Sequence, residues 1–195
     1  KNGTWMEIDN QIEKAKGIGL QSLDKGLPYI NKANKYRVGF AENSKAEKLV
    51  RFELEEAYVD FGLIDAASVP AEVKGNKVAY KGVYPDTDLV YYADNTGLKE
   101  EWVLHKYEGV STFSMKLNVT NAEAKPQKDG IIQFVDGKGK ELFVIPRPFM
   151  VDNELRYSDQ VKMELRKEGE QTYLDLVADE KWLKDPKRSY PVIID

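Results

Sequence analysis

Apolar and polar side chains alternate along most of this chain. Tyr36-Arg37-Val38-Gly39-Phe40 and Lys48-Leu49-Val50-Arg51-Phe52-Glu53-Leu54 set the pattern. It returns at 57–64, 76–83, 88–94, 99–106, 112–119, 130–136, 140–145, 160–166, 172–178 and 190–194. A period of two puts every second side chain on one side of an extended backbone, which predicts about a dozen strands with one buried face each. Gly75-Asn76, Asn95-Thr96-Gly97, Asp129-Gly130, Asp136-Gly137-Lys138-Gly139 and Glu168-Gly169-Glu170 separate the runs. Gly, Asn and Asp accept the backbone angles of tight turns, so these breaks predict hairpins. The clearest is 131–145, whose arms Ile131 to Val135 and Glu141 to Ile145 flank a short polar loop.

Helical signals are few. Ile8 and Ile12, four apart, predict two turns over Ile8 to Lys16, and Asp179 before Glu180-Lys181-Trp182-Leu183 predicts one capped turn that ends before Pro186. The segment 146–159 carries two prolines among polar residues and is expected to cross between sheets or cover an edge. Together these features predict an all-β fold, an antiparallel β-sandwich with one or two short helical turns. It reads as a single β-rich module over 1–195, with sub-lobe boundaries, if any, near 66–76 or 120–127.

Composition narrows the chemistry. Cysteine is absent, which removes disulfides, thiolate zinc sites and cysteine nucleophiles. His105 is the single histidine. The 29 Lys and Arg against 33 Asp and Glu leave a net charge of −4, which offers nucleic acid no electrostatic footprint. No apolar run approaches the ~18 residues of a membrane span. Neither nucleic acid nor membrane is therefore expected as a partner, and no cofactor is expected.

His105 could act as a general base only if Ser111 or Ser114 and an acid converged on it, and no nucleophile-elbow pattern is present. The doublets Glu55-Glu56 and Glu100-Glu101 point to opposite faces of a strand, so neither doublet alone makes a glycosidase pair. Asp86 and Asp88 have the spacing of a calcium loop without the rest of its pattern. The remaining feature is aromatic: Tyr80, Tyr84, Tyr91, Tyr92, Trp102 and Tyr107 fall on three successive strands. Tyr91 and Tyr92 must face opposite ways, so one of them is expected outside. Tyr91, Tyr92 and Trp102 are therefore the candidate ligand-binding residues, as a platform on which a sugar ring could stack; the opposing expectation is that they are core.

The segments NGTWMEIDNQIEK (2–14), YINKANKYRVGF (29–40), VAYKGVYPDTDLVYYADNTGLKEEWVL (78–104), DGIIQFVDGKGKELFVIPRPFMVDN (129–153) and EKWLKDPKRSYPVIID (180–195) occur in an order that resembles the amino-terminal extracellular region of WapA-type wall-associated proteins, Gram-positive surface proteins with RHS/YD repeats. Trp5, Ile8, Asp9 and Asn10 match its opening, and Tyr80, Tyr84, Pro85, Asp88, Leu89 and Tyr91 its centre. Pro146, Pro148, Trp182, Pro186, Tyr190, Pro191 and Asp195 match its closing part. Trp102 stands where a smaller residue is expected, and Asp195 where such chains run on into a next module. The resemblance implies a secreted, cell-wall-associated module without catalytic residues, which packs against neighbouring modules of the same polypeptide in a toxin-delivery protein. Its alternative is a module that binds cell-wall glycan through exposed aromatics.

Overall fold

The computed structural model describes residues 7–15 and 23–195. Strand periodicity translates directly into three antiparallel sheets. From edge to edge, the largest runs β1 (Asp9–Lys14), β2 (Tyr29–Ala33), β3 (Tyr36–Phe40), β4 (Val50–Leu54), β5 (Ala57–Leu63), β10 (Thr112–Thr120), β17 (Gln171–Ala178) and β16 (Val161–Glu168). The second runs β15 (Tyr157–Ser158), β14 (Met150–Val151), β18 (Val192–Ile194), β9 (Leu98–Leu104), β8 (Thr87–Ala93), β7 (Lys77–Tyr84) and β6 (Ala71–Lys74). The third holds β11 (Glu123–Pro126), β12 (Ile132–Val135) and β13 (Glu141–Ile145). The all-β antiparallel sandwich read from the sequence is the fold observed, and the 131–145 hairpin is the β12–β13 pair.

One apolar cluster joins the sheets. Trp102 of β9 stacks on Phe113 of β10 at 4.6 Å between ring centroids, and Phe40 of β3 meets Tyr91 of β8 at 5.5 Å. Phe52 of β4 meets Phe143 of β13 at 5.1 Å, which ties the small sheet to the same core. Tyrosine hydroxyls extend these contacts across the layers: Tyr36 donates to the Asp94 carbonyl at 2.7 Å, and Tyr80 to the Ala41 carbonyl at 2.7 Å. A ring that buries its face while its hydroxyl finds a carbonyl satisfies both halves of an amphipathic side chain. The chain changes sheet between β5 and β6, and it does so again between β9 and β10, β10 and β11, β13 and β14, β15 and β16, and β17 and β18.

Two local features depart from simple alternation. Gly62 in β5 lies under the 43–49 connection, where an added Cβ would stand 2.1 Å from the Glu47 carbonyl oxygen, so only glycine allows that approach. Residues 8–16, expected to be helical, instead form β1, and its last expected residue, Lys16, lies outside the described residues. The Ile12 side chain is 5 % exposed, and its N–H donates to Gly75 of the opposite sheet at 2.7 Å. Pairing with β2 and this cross-layer bond satisfy the backbone in extended form, and tertiary partners override a weak helical spacing. The capped turn is present: α1 (Glu180–Lys184) begins at Asp179, whose carboxylate accepts the Lys181 N–H at 3.1 Å.

Candidate functional site

The three aromatics singled out from the sequence part company. Tyr91 and Trp102 are each 1 % exposed and belong to the core. An exposed platform cannot be built from them, because alternation turns both toward the opposite sheet. Tyr92 faces outward, half-buried, with the Lys77 ammonium 5.4 Å from its ring centre. Trp5, one of the matched residues, lies outside the described residues.

Parity along β9 also turns Glu100 inward, between Leu98 and Trp102. It lies opposite Tyr91 in register, and its Oε1 accepts the Trp102 indole N–H at 2.9 Å. The buried Tyr91 hydroxyl lies near the same carboxyl without reaching full hydrogen-bond geometry. Burial lifts the Glu100 carboxyl above its ordinary value, while the nearby Tyr91 and Trp102 donors pull the other way. A carboxyl raised in the folded state stabilises the fold below its unfolded value, about 4.3, and loses that contribution as pH rises through the folded value. Glu100→Gln keeps an acceptor for Trp102 and removes the buried charge. The variant is expected to melt above the wild type at pH 7 and level with it at pH 4, as thermal unfolding at both pH values will show.

The other acid and base candidates are held by structural bonds. His105 Nε2 lies 2.8 Å from Asp88 Oδ2, and Asp88 Oδ1 accepts the Gly82 N–H at 2.8 Å where β7 shifts register. Ser114 lies on β10 opposite Asp175 in register, and its hydroxyl helps to hold the Asp175 carboxyl below its ordinary value. Asp86 adopts φ 49° in the β7–β8 turn, and its carbonyl accepts the His105 N–H at 2.8 Å. Glu55 and Glu56 are exposed at the β4–β5 turn. Glu101 pairs with Lys99 at 2.9 Å on the outer face. Among the described residues no three of His, Asp and Glu gather as a metal site, and no helix is long and apolar enough to cross a membrane.

A different region, inside the 146–159 segment expected to cover an edge, has the features of a presented surface. Between β14 and β15 the chain turns around Asp152, whose side chain is fully buried. Its Oδ1 accepts the N–H groups of Glu154 at 3.0 Å and Arg156 at 2.9 Å. Its Oδ2 accepts Nη1 of Arg156 at 2.9 Å, Nη1 of Arg188 at 3.0 Å and the Ser189 N–H at 3.3 Å. Burial works against the charge, but these amides and guanidinium groups outweigh it and hold the Asp152 carboxyl well below the usual range. The turn so fixed places Leu155 at φ 63° and 83 % exposed. A left-handed conformation costs an L-residue roughly 1–2 kcal/mol, and glycine or asparagine would avoid most of that cost. Among the described residues the other non-glycine positions at positive φ, Glu55, Asp65, Asp86 and Asn121, are all polar. Two residues on, Tyr157 is 64 % exposed and stacks on Phe149 with centroids 5.5 Å apart. Four large apolar side chains are exposed among the described residues, and two of them sit in this one turn.

A family model described as a domain of unknown function, DUF7948, matches residues 5–195. The chain is 37 % identical, over its full length, to the tRNA3(Ser)-specific nuclease WapA of Bacillus spizizenii, of which it spans 9 %. It is 44 % identical over 66 % of its length to the tRNA nuclease WapA of Bacillus subtilis, covering 6 % of that protein. It is 36 % identical over 52 % of its length to a wall-associated protein of Geobacillus stearothermophilus, covering 40 % of it. The chain thus spans less than a tenth of the two nucleases it resembles. No solved structure matches it.

Proposed function

This chain belongs to the DUF7948 family, and from that premise we propose that it is a non-catalytic structural and interaction module of a cell-wall-associated, WapA-like toxin-delivery protein. It docks against neighbouring modules of the same polypeptide and helps to hold the protein in the wall. The similarity to proteins named for the wall and for WapA supports the setting. One observation carries the non-catalytic role: the groups best suited to chemistry each hold the fold. His105 is bonded to Asp88, Asp88 to the register shift of β7, and the half-buried Glu100 to the core residue Trp102. The tRNA-directed activity named for the relatives is assigned on this reading to other parts of those long chains. A net charge of −4 also offers tRNA no overall electrostatic attraction.

The test is turnover. Purified chain incubated with tRNA, with peptidoglycan and with chitin is expected to leave all three intact. Cleavage of any of them that disappears on Glu100→Gln or on His105→Ala would overturn the proposal.

A further inference from the structure

We propose that the Asp152 turn presents a binding ledge for N-acetylated wall glycan, made of Leu155, Tyr157 and Phe149; this inference rests on the wall-associated reading above and names its ligand.

The ledge is apolar at its floor and polar at its border. Tyr157 packs one ring face on Phe149 and leaves much of the rest open, at 64 % exposure. Phe149 pairs with Tyr157, and two residues away along both segments Arg147 Nη2 pairs with Asp159 Oδ2 at 3.0 Å. On the other side Arg156 pairs with Glu154. All four of these charged side chains are 41–59 % exposed and so reach solvent, although Arg156 Nη1 is also taken up by Asp152 and the Lys187 carbonyl. Each of these two ion pairs neutralises itself, so the pairs add donors and acceptors without adding net charge. That balance suits an uncharged, polyhydroxylated ligand and disfavours polyanions such as teichoic acid or nucleic acid.

The chemistry of a hexosamine fits each part. The C–H face of a pyranose lies on an aromatic ring, its hydroxyls meet the charged border, and an acetamido methyl group meets the Leu155 isobutyl group. The apolar row also continues inward across the sheet. Register places Tyr157 beside Val151, Val151 beside Ile193, and Ile193 beside Val103, all on the outer face and the last three half-buried. At about 4.8 Å per strand this row spans about 14 Å, the reach of an oligosaccharide rather than one sugar. The turn is held by a buried carboxylate with five hydrogen bonds, so the ledge is set before any ligand arrives. At 83 % exposure Leu155 buries little within this chain, and two residues from Tyr157 it is near enough in sequence to add an apolar contact to a ligand on that ring.

The experiment is an NMR titration of the chain with a tetramer of N-acetylglucosamine and, in parallel, with cellotetraose, which lacks the acetamido groups. Products are followed in the same tubes. The N-acetylated tetramer is expected to shift amides within 147–159 and at 193, intact and unhydrolysed, and to bind more tightly than cellotetraose. Tyr157→Ala is expected to weaken binding about tenfold or more. Leu155→Gly suits φ 63° and removes an exposed group, so it is expected to melt no lower than the wild type while losing most of the preference for the N-acetylated ligand. Binding by both variants as tight as wild type, shifts confined to another face, or no shift with either sugar would overturn the ledge and leave the module reading standing. The same holds if the ledge amides respond only to protein concentration, which would make it a contact between copies. Hydrolysis of the tetramer would instead defeat the non-catalytic reading.

Discussion

Trp102→Ala is expected to destabilise the chain by about 3–5 kcal/mol, the usual cost of deleting a large buried aromatic side chain. In a domain of this size that lowers the melting temperature by on the order of 10 °C. Trp102 is 1 % exposed and lies between the layers, stacked on Phe113 at 4.6 Å and on Tyr84 at 6.0 Å. Its removal opens a cavity that two rigid sheets cannot close, and it leaves Glu100 without its indole donor. Denaturant unfolding monitored by circular dichroism checks the size of the effect. A loss under 1 kcal/mol would mean that this side chain is not part of the core. The result bears on function as well: glycan binding lost in this variant would report unfolding, whereas the Leu155 and Tyr157 variants act on the surface.

Asp152→Ala is expected to cost a similar amount, about 3–5 kcal/mol, for an electrostatic reason. The Arg188 side chain is 6 % exposed, and Asp152 is its ion-pair partner at 3.0 Å. Without the carboxylate the guanidinium keeps its bond to the Trp182 carbonyl at 3.1 Å and its place over the Trp182 ring, but loses its counter-charge. The Glu154, Arg156 and Ser189 amides lose their acceptor as well. Asp152→Asn keeps one acceptor and should cost less. The acid limb of the stability profile gives the second reading. A carboxyl held below its ordinary value stabilises the fold above the unfolded value, near 3.9, and loses that contribution as pH falls through the folded one. Wild type should therefore lose stability below about pH 4, and Asp152→Ala should lose less over the same range. Urea titrations at pH 7 and below pH 4 measure both. Equal acid sensitivity of the two proteins would show that the native carboxylate is not specially stabilised.

Asp152 also shows what a local reading of the chain misses. In PRPFMVDNELRYSD the two prolines and the polar residues mark a connection at an edge, and β14 and β15 do form one edge of the second sheet. Nothing in that string says that its aspartate is buried, because the burial is made by Arg188 and Ser189, about 36 residues further on. Leu155 and Tyr157 are apolar side chains within that polar connection. They are exposed because β15 is only two residues long and ends the sheet, so no further strand covers them. Tyr91 and Trp102 illustrate the converse. Their place on alternating strands was legible, but alternation names two faces without saying which one meets the other layer. Glu100 shares its parity with Leu98, Trp102 and Leu104, and that pattern alone was enough to place it with them; only the fold showed it half-buried against Trp102.

The alternation of side chains by itself determined that this chain builds antiparallel sheets, where most strands and the 131–145 hairpin lie, and that a capped turn follows Asp179. These follow from neighbours a few residues apart, whose spacing the extended backbone sets. Only the tertiary structure decided that residues 9–14 join a sheet instead of coiling, which face of each strand is buried, and which turn carries apolar groups into solvent. Those outcomes depend on partners distant along the chain, and on which strand is left at an edge with nothing beyond it.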